Sequence, residues 1–515
     1  MSVKYLVTAR EMKRCDSCTI HSLGIPGEVL MERAALKVVE AIQAFYPGGK
    51  LTEKKILIAA GGGNNGGDGL AIARLLADMG CRTDAVFMGD RDHAPGETAL
   101  QLRILENYDL SPVSIFPEKE YDIIVDALFG IGLSRTVEGK YLDAVTRINE
   151  SRAWKVAVDI PSGVDADTGQ IHGCAVQADL TVTFGWVKRG LMYYPGNEYA
   201  GRIVCADIGI NERSFGGELP AMYTLEGSPG EFLPRRRPDG NKGTFGKVLL
   251  FAGSENMAGA AVLCGKGLLR SGAGMVKICT CESNRLVLQE VLPEAMLLTY
   301  TRADEVRQGN MTLQAELEKA LCWADCIVAG PGIGTEKSAE QILEWLLAGG
   351  KKPIVLDADG LNLLAKSEKL AQILVESVKE TGREVILTPH VGELSRLLGC
   401  SINEIKDSPE EKARRAAKKY QAVIVSKDAR TLVCGESGPV FLNTAGNSGM
   451  ATAGSGDVLA GVIGALLAGG MGSLNSAVAG TYLHACAGDL AAQKVGEAGL
   501  MASDLIQALA AIQKG

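Results

Sequence analysis

The chain is short of the features that mark nucleic-acid-binding, membrane-embedded or disulfide-stapled proteins. Its net charge is −8 over 515 residues, and its one dense basic cluster is Arg235-Arg236-Arg237. Gripping a phosphate backbone needs a broad basic face, so nucleic acid is not an expected partner. The longest nearly apolar run, Val458 to Gly472, is too short and too glycine-rich to span a bilayer. It reads as a buried helix, and no membrane association is expected. The opening MSVKYLVTAREMKR lacks the apolar core of a signal peptide. The 13 cysteines are therefore expected to be reduced core residues of a cytoplasmic protein. Cys15-x-x-Cys18 has no second pair and no histidine at ligand spacing, which argues against zinc. Histidine is scarce too, with five in all, and there is no internal repeat.

Glycine is what the chain has in quantity. The 63 glycines gather in separate loops, which suits ligand-binding turns better than disorder. Hydrophobic residues at 46% and charged residues at 22% are globular values, and the length implies two or more domains. From Lys54 to about Ile208, short β-branched runs alternate with helical patterns: KKILIAA (54–60), TDAVFMG (83–89), YDIIVDAL (121–128), WKVAVDI (154–160) and LTVTFG (180–185). Such alternation predicts a parallel sheet covered on both faces. The first fifty residues look helical, with Thr8-x-x-Glu11 as a capping box. A stretch rich in Gly, Pro and charge, 211–246, breaks the pattern, so the domains are set at 1–222 and 223–515. A second α/β alternation follows: KVLLFAGS (247–254), MVKICT (275–280), CIVAGPGIG (326–334), PIVLDAD (353–359), EVILTPH (384–390) and AVIVSKD (422–428).

The stretch NSGMATAGSGDVLAG, Asn447 to Gly461, ends a run of small residues at an acid and turns into an apolar helix pattern. Backbone amides at a helix start bind anions. A carboxylate among them, Asp457, can take a proton from a hydroxyl while the amides hold a phosphoryl group. A tight helix entry with Asp457 as a capping acid accounts for GSGD alone equally well. In the first half, GGGNNGGDGL (61–70) follows a strand and opens a helix. Gly61, Gly63 and Gly66 fit a dinucleotide fingerprint, with Asp84 or Asp90 as its acid, but Asp68 would repel a pyrophosphate. A polar pocket for a hydroxylated ligand or a monovalent cation fits those residues better. Asp126, Asp159 and Ser162 stand at further strand tips, where ligands bind in open α/β sheets.

NNGGDGL, VDALFGIGL, DIPSGVDADTG and a later AD-TVTFG pattern resemble the NAD(P)H-hydrate epimerase family over most of residues 10–210. The resemblance implies a Rossmann-like three-layer domain that binds hydrated NADH or NADPH and a potassium ion. It implies substrate contacts from Asn64, Asn65, Gly66, Gly67 and Asp68, from Gly130, Ile131, Gly132, Leu133, Ser134, Arg135 and Thr136, and from Tyr141 and Asp159. Potassium would be held by Asn65, Asp126 and Ser162, and Asp159 would be the acid/base group. The chain departs from that pattern at Arg33, where Asn is usual, and at Gly62, where Pro is usual.

NKGTFGKVLLFAGS, GPGIG (330–334), DADGLN (357–362), TPHVGEL (388–394) and AGSGD occur in order. Gly246-Lys247 is followed by Val248, so this is not a Walker loop. Together the five motifs resemble the ADP/ATP-dependent NAD(P)H-hydrate dehydratases, ribokinase-like proteins, over about residues 225–512. The resemblance implies that a nucleotide phosphorylates the hydrate and that loss of phosphate regenerates the nicotinamide. Asp457 would be the base and bind substrate, with Ala260, Gly332 and His390 also touching the hydrate. Lys427, Asp428, Ala429, Arg430, Thr431 and Gly456 would bind ADP, and Mg2+ would neutralise its phosphates. Asp428 (for Gly), Val391 and Ser448 (each for Pro) depart from the pattern.

The reading is thus a fused α/β enzyme: epimerisation of R and S hydrates in the first half, ADP-dependent dehydration of the S hydrate in the second. A homo-oligomer is the expected assembly. Two rival readings are a small-molecule kinase of the ribokinase-like class with a fused regulatory domain, and a first half that only binds.

Overall fold

A computed structural model of the chain describes residues 2–233, 236–301 and 311–513; Arg235 of the basic run lies outside the described residues. The chain divides into two compact units, Tyr5–Met222 and a second from Tyr223 onward that also takes the segment before Tyr5.

In the first unit six parallel strands lie in the order Arg82–Phe87, Lys55–Ala60, Ile123–Ala127, Trp154–Val158, Leu180–Phe184 and Arg202–Ala206. Along Lys55–Ala60, Ile56, Ile58 and Ala60 enter the core shared with the helices Gly27–Phe45 and Asn64–Asp78. Leu57 and Ala59 enter the opposite core, under the helix Lys140–Glu150. With both faces covered, the strand reads as one unbroken apolar run. Sheet progression reverses between Lys55–Ala60 and Ile123–Ala127, and a crevice opens at such a switch point beyond the carboxyl ends.

One expectation fails at the start of the chain. The first fifty residues are not helical throughout, because Ser2–Val7 is a strand, paired in parallel with Val187–Lys188. Val3, Tyr5 and Val7 favour extended backbone, and six residues are too few for a helical period to show. Thr8 then caps the helix Ala9–Ser17: its Oγ1 accepts from the Glu11 N–H at 3.1 Å, and the Glu11 carboxylate accepts from the Thr8 N–H at 2.7 Å.

In the second unit the order is Met296–Tyr300, Met275–Cys281, Lys247–Phe251, Cys326–Ala329, Ile354–Leu356, Val385–Leu387, Val423–Ser426, Leu432–Cys434 and Val440–Leu442. Pairing is parallel as far as Val423–Ser426 and antiparallel beyond. Progression reverses between Lys247–Phe251 and Cys326–Ala329. The apolar run after Asp457 is the helix Ser455–Ala468, buried along most of its length against Ala258–Arg270. A Cβ on Gly461 would stand 2.4 Å from the Cys264 carbonyl oxygen, and one on Gly267 2.8 Å from that of Val458. Glycine is what lets these two helices touch backbone to backbone. All thirteen cysteines are unpaired, and no helix among the described residues is long and apolar enough to cross a membrane.

Candidate active sites

A cavity of about 650 Å³ opens at the switch point of the first sheet. The strand Lys55–Ala60 passes almost directly into the helix Asn64–Asp78, which carries Asn64, Asn65 and Asp68 into the cavity wall. A Cβ on Gly61 would stand 1.9 Å from the Leu128 carbonyl oxygen, and one on Gly66 1.9 Å from that of Gly61. The turn can be this tight only without side chains. Gly130, Ile131, Gly132, Leu133, Ser134 and Arg135 form another wall, with Tyr141 and Asp159. The Tyr141 hydroxyl donates to the Met88 carbonyl at 3.0 Å, and its ring packs against Phe129. Gly66, Gly67 and Thr136 do not line the cavity. The two glycines make room for Gly61, Met31 and Thr98, while Thr136 lies against Gly173.

Asp159 stands at the tip of Trp154–Val158 with a left-handed backbone, φ +68°. A non-glycine residue pays about 1–3 kcal/mol for such a conformation and keeps it only where its surroundings hold it there. Here the surroundings include the buried Lys188, whose ammonium donates to Asp159 Oδ1 at 2.5 Å, to Thr183 Oγ1 at 3.1 Å and to the Phe184 carbonyl at 3.0 Å. Lys188 also lines the cavity, as does Asp16. Neither stood out in the sequence. The one signal was a lysine placed beside the short apolar strand at 187, where a charge needs a partner.

Asp126 and Ser162 lie buried behind the cavity wall. The Ser162 amide donates to Asp126 Oδ2 at 2.8 Å and its hydroxyl to Oδ1 at 2.6 Å, while Leu128 and Phe129 donate their amides to Asp126 and Ser162. Burial pushes Asp126 up to about 6, against the pull of those hydrogen bonds. Among the described residues no cation pairs with it. The Asn65 side chain packs on Gly130, and its buried amide nitrogen finds no partner. A carboxylate, a hydroxyl and an amide oxygen are the kind of hard donors that fit a weakly hydrated monovalent cation. Of the acids considered for a dinucleotide fingerprint, Asp84 sits near the amino end of its strand and accepts from Tyr121 at 2.8 Å.

In the second unit the strand tips bring Asp357, His390 and Lys427 toward the start of Ser455–Ala468. The Lys427 ammonium donates to Asp357 Oδ1 at 2.7 Å, and Thr388 donates to the same oxygen at 2.7 Å. Gly456 sits against both: a Cβ there would lie 3.3 Å from Lys427 Nζ and 3.7 Å from Asp357 Oδ2. Asp457 is the third helical residue and caps nothing; Gly454, at φ +86°, takes the cap position. Burial and the Asp357 charge raise the Asp457 carboxyl to about 7, with Lys427 working the other way. Burial opposes the Lys427 charge, but Asp357 and Glu393 outweigh it and hold its pKa above the usual value. His390 and Lys427 bridge adjacent strand tips, and His390 Nδ1 accepts from Gly392 as the cap of Val391–Leu398. Ala260 and Gly332 touch each other at the switch point. Asp428 spends its carboxylate on the Ala429 amide at 2.8 Å, within the turn that carries Ala429, Arg430 and Thr431. Glu393, raised to about 7 by burial against the pull of Lys427, was not singled out from the sequence.

Residues 248–511 match the family described as NAD(P)H-hydrate dehydratase, and residues 27–190 that described as YjeF-related protein N-terminus. A bifunctional NAD(P)H-hydrate repair enzyme from Moorella thermoacetica is 35% identical over 98% of this chain and 96% of its own length. The chain belongs to the bifunctional NAD(P)H-hydrate repair enzymes. An NAD(P)H-hydrate epimerase from Limosilactobacillus fermentum is 47% identical over 39% of the chain and 95% of its own length. A solved ADP/ATP-dependent NAD(P)H-hydrate dehydratase from Bacillus subtilis, co-crystallised with ATP and Mg2+, is 31% identical, with a TM-score of 0.47; the match covers 56% of this chain and 95% of that one. In this repair enzyme Arg33 donates to the Ile208 carbonyl at 3.3 Å and does not line the cavity.

Proposed function

We propose that the first unit interconverts the R and S hydrates of NADH and NADPH, and that the second dehydrates the S form at the expense of ADP. The observation that carries this reading is a buried acid–lysine pair at the strand tips of each unit, Asp159–Lys188 and Asp357–Lys427, the latter beside Asp457. Each unit then handles protons on its own.

In the second unit Asp457 removes the proton of the hydrate's hydroxyl as that oxygen takes the phosphoryl group. The amides of Gly454 to Gly456 hold the charge of the moving group. Phosphate then leaves with the carbon–oxygen bonding pair, and the ring recovers its double bond. Lys427 donates to Asp357 and, with Asp428 to Thr431, faces the nucleotide, while Ala260, Gly332 and His390 contact the hydrate. Mg2+ bound with the nucleotide would neutralise its phosphates. In the first unit potassium would be held by Asn65, Asp126 and Ser162, fixing the loop after Asp126 that lines the cavity.

The test follows nicotinamide absorbance on S hydrate with ADP or ATP at matched concentrations. Dehydration faster with ADP is expected; faster turnover with ATP would overturn the donor assignment. Phosphate that stays on the product would overturn dehydration in favour of a kinase.

A further inference from the structure

The first cavity holds more acid than its buried lysine can serve. Asp16, Asp68 and Asp159 line it together with Lys188. An ammonium has three protons to donate, and those of Lys188 go to Asp159, Thr183 and the Phe184 carbonyl. Nothing remains for the other two carboxyls. No described residue hydrogen-bonds Asp68, although it sits just over one turn into the helix Asn64–Asp78 and faces the same space. The remaining charged groups around that space are Lys13, Glu97 and Arg135. Like charges that share a site oppose one another's ionisation. Burial, and then the charges of Asp159 and Asp16, push the Asp68 carboxyl well above the ordinary range, whereas Asp16 reaches only about 6. The cavity therefore sets one carboxyl that a buried lysine hydrogen-bonds, Asp159, against one that burial and neighbouring charges push toward its neutral form, Asp68. Two carboxyls in environments this different are the usual arrangement of an acid and a base.

We propose that Asp68 is a second catalytic residue of the first unit, the acid that works opposite the Asp159 base; this rests on the epimerase reading above. A hydrated nicotinamide carries its hydroxyl on a carbon bonded to the ring nitrogen. Asp159 takes the hydroxyl proton, the oxygen forms a carbonyl with that carbon, and the carbon–nitrogen bond breaks. Its electron pair goes to the nitrogen, which takes the proton of Asp68. Rotation about the neighbouring carbon–carbon bond turns the other face of the carbonyl to the nitrogen. Reclosure returns one proton to Asp68 and takes one from Asp159, so both groups end as they began and no co-reactant is needed.

The test uses the full chain with purified R hydrate and no nucleotide, so that dehydration is silent. Wild-type protein should convert R to S; no conversion would overturn the epimerase reading itself, and this proposal with it. Given conversion, Asp68→Asn should lower kcat by about 10²–10⁴-fold, the range for lost acid–base catalysis, with KM changed only a few-fold. The side chain makes no hydrogen bond to lose, so the variant should melt no lower than wild type. A residue that only positions substrate would raise KM and leave kcat. A kcat within threefold of wild type in folded Asp68→Asn overturns the proposal. The pH profile gives a second reading that does not depend on the variant. An acid must be protonated to act, so wild-type kcat should fall as pH rises through the Asp68 pKa, and Asp68→Glu should keep that fall. A wild-type kcat that stays flat to high pH overturns the assignment.

Discussion

Asp457 has one cation and two further carboxylates for neighbours. Burial first, then Asp357, hold its carboxyl at about 7, with Lys427 pulling down and Asp359 adding a smaller push upward. A base works only when deprotonated, so kcat/KM for dehydration should rise with pH through about 7, a limb that a rate profile would show. Asp457→Asn removes the proposed base and keeps its size; dehydration should fall about 10²–10⁴-fold. A well-folded variant that consumes S hydrate at the wild-type rate would end the assignment. The same shift has a stability side. The folded state raises this pKa, so ionisation works against folding, and the penalty grows from the ordinary carboxylate pKa of about 4 up through the raised value. Asp457→Asn should therefore melt above wild type at pH 8 and level with it below pH 4, as calorimetry can check.

At the scale of elements, the glycine-rich turns act as spacing devices. A Cβ on Gly61 would fall on the Leu128 carbonyl, where two strand tips and a helix start meet. Gly61→Ala must push that junction apart, at about 1–3 kcal/mol for overpacking. In a unit of this size that is a melting shift of roughly 2–12 °C, and epimerisation should fall with it because the same junction carries Asn64 and Asn65. An unchanged melt would mean that the junction gives way freely. The strands around these turns were legible in the sequence, because buried parallel strands read as apolar runs between turns. Ser2–Val7 was not, since a short strand carries its evidence in a distant partner, Val187–Lys188.

At the scale of the molecule, the two proposed proton-handling centres belong to separate units. Distant, independent sites act additively. Asp159→Asn should abolish R-to-S exchange while dehydration of pure S hydrate proceeds, and Asp457→Asn should do the reverse. Replacing potassium with a bulky organic cation should lower only the exchange. If a folded Asp457→Asn loses both activities, the separation fails; exchange indifferent to the cation would remove potassium from the first site.

The sequence by itself determined the α/β alternation and the glycine-rich strand-tip loops, and it offered Asp159 and Asp457 as candidates, because periodicity and strand-tip motifs are local along the chain. Only the tertiary structure decided which of the small residues serve a ligand and which serve packing: Gly461 and Gly267 exist for a helix contact made across nearly two hundred residues. It alone paired Lys188 with Asp159 and Lys427 with Asp357, and it set Asp16 and Asp68 around the first of those pairs. The reason is physical. A carboxyl's proton affinity depends on burial and on charges within a few ångströms, and distance in space cannot be read from distance along a chain.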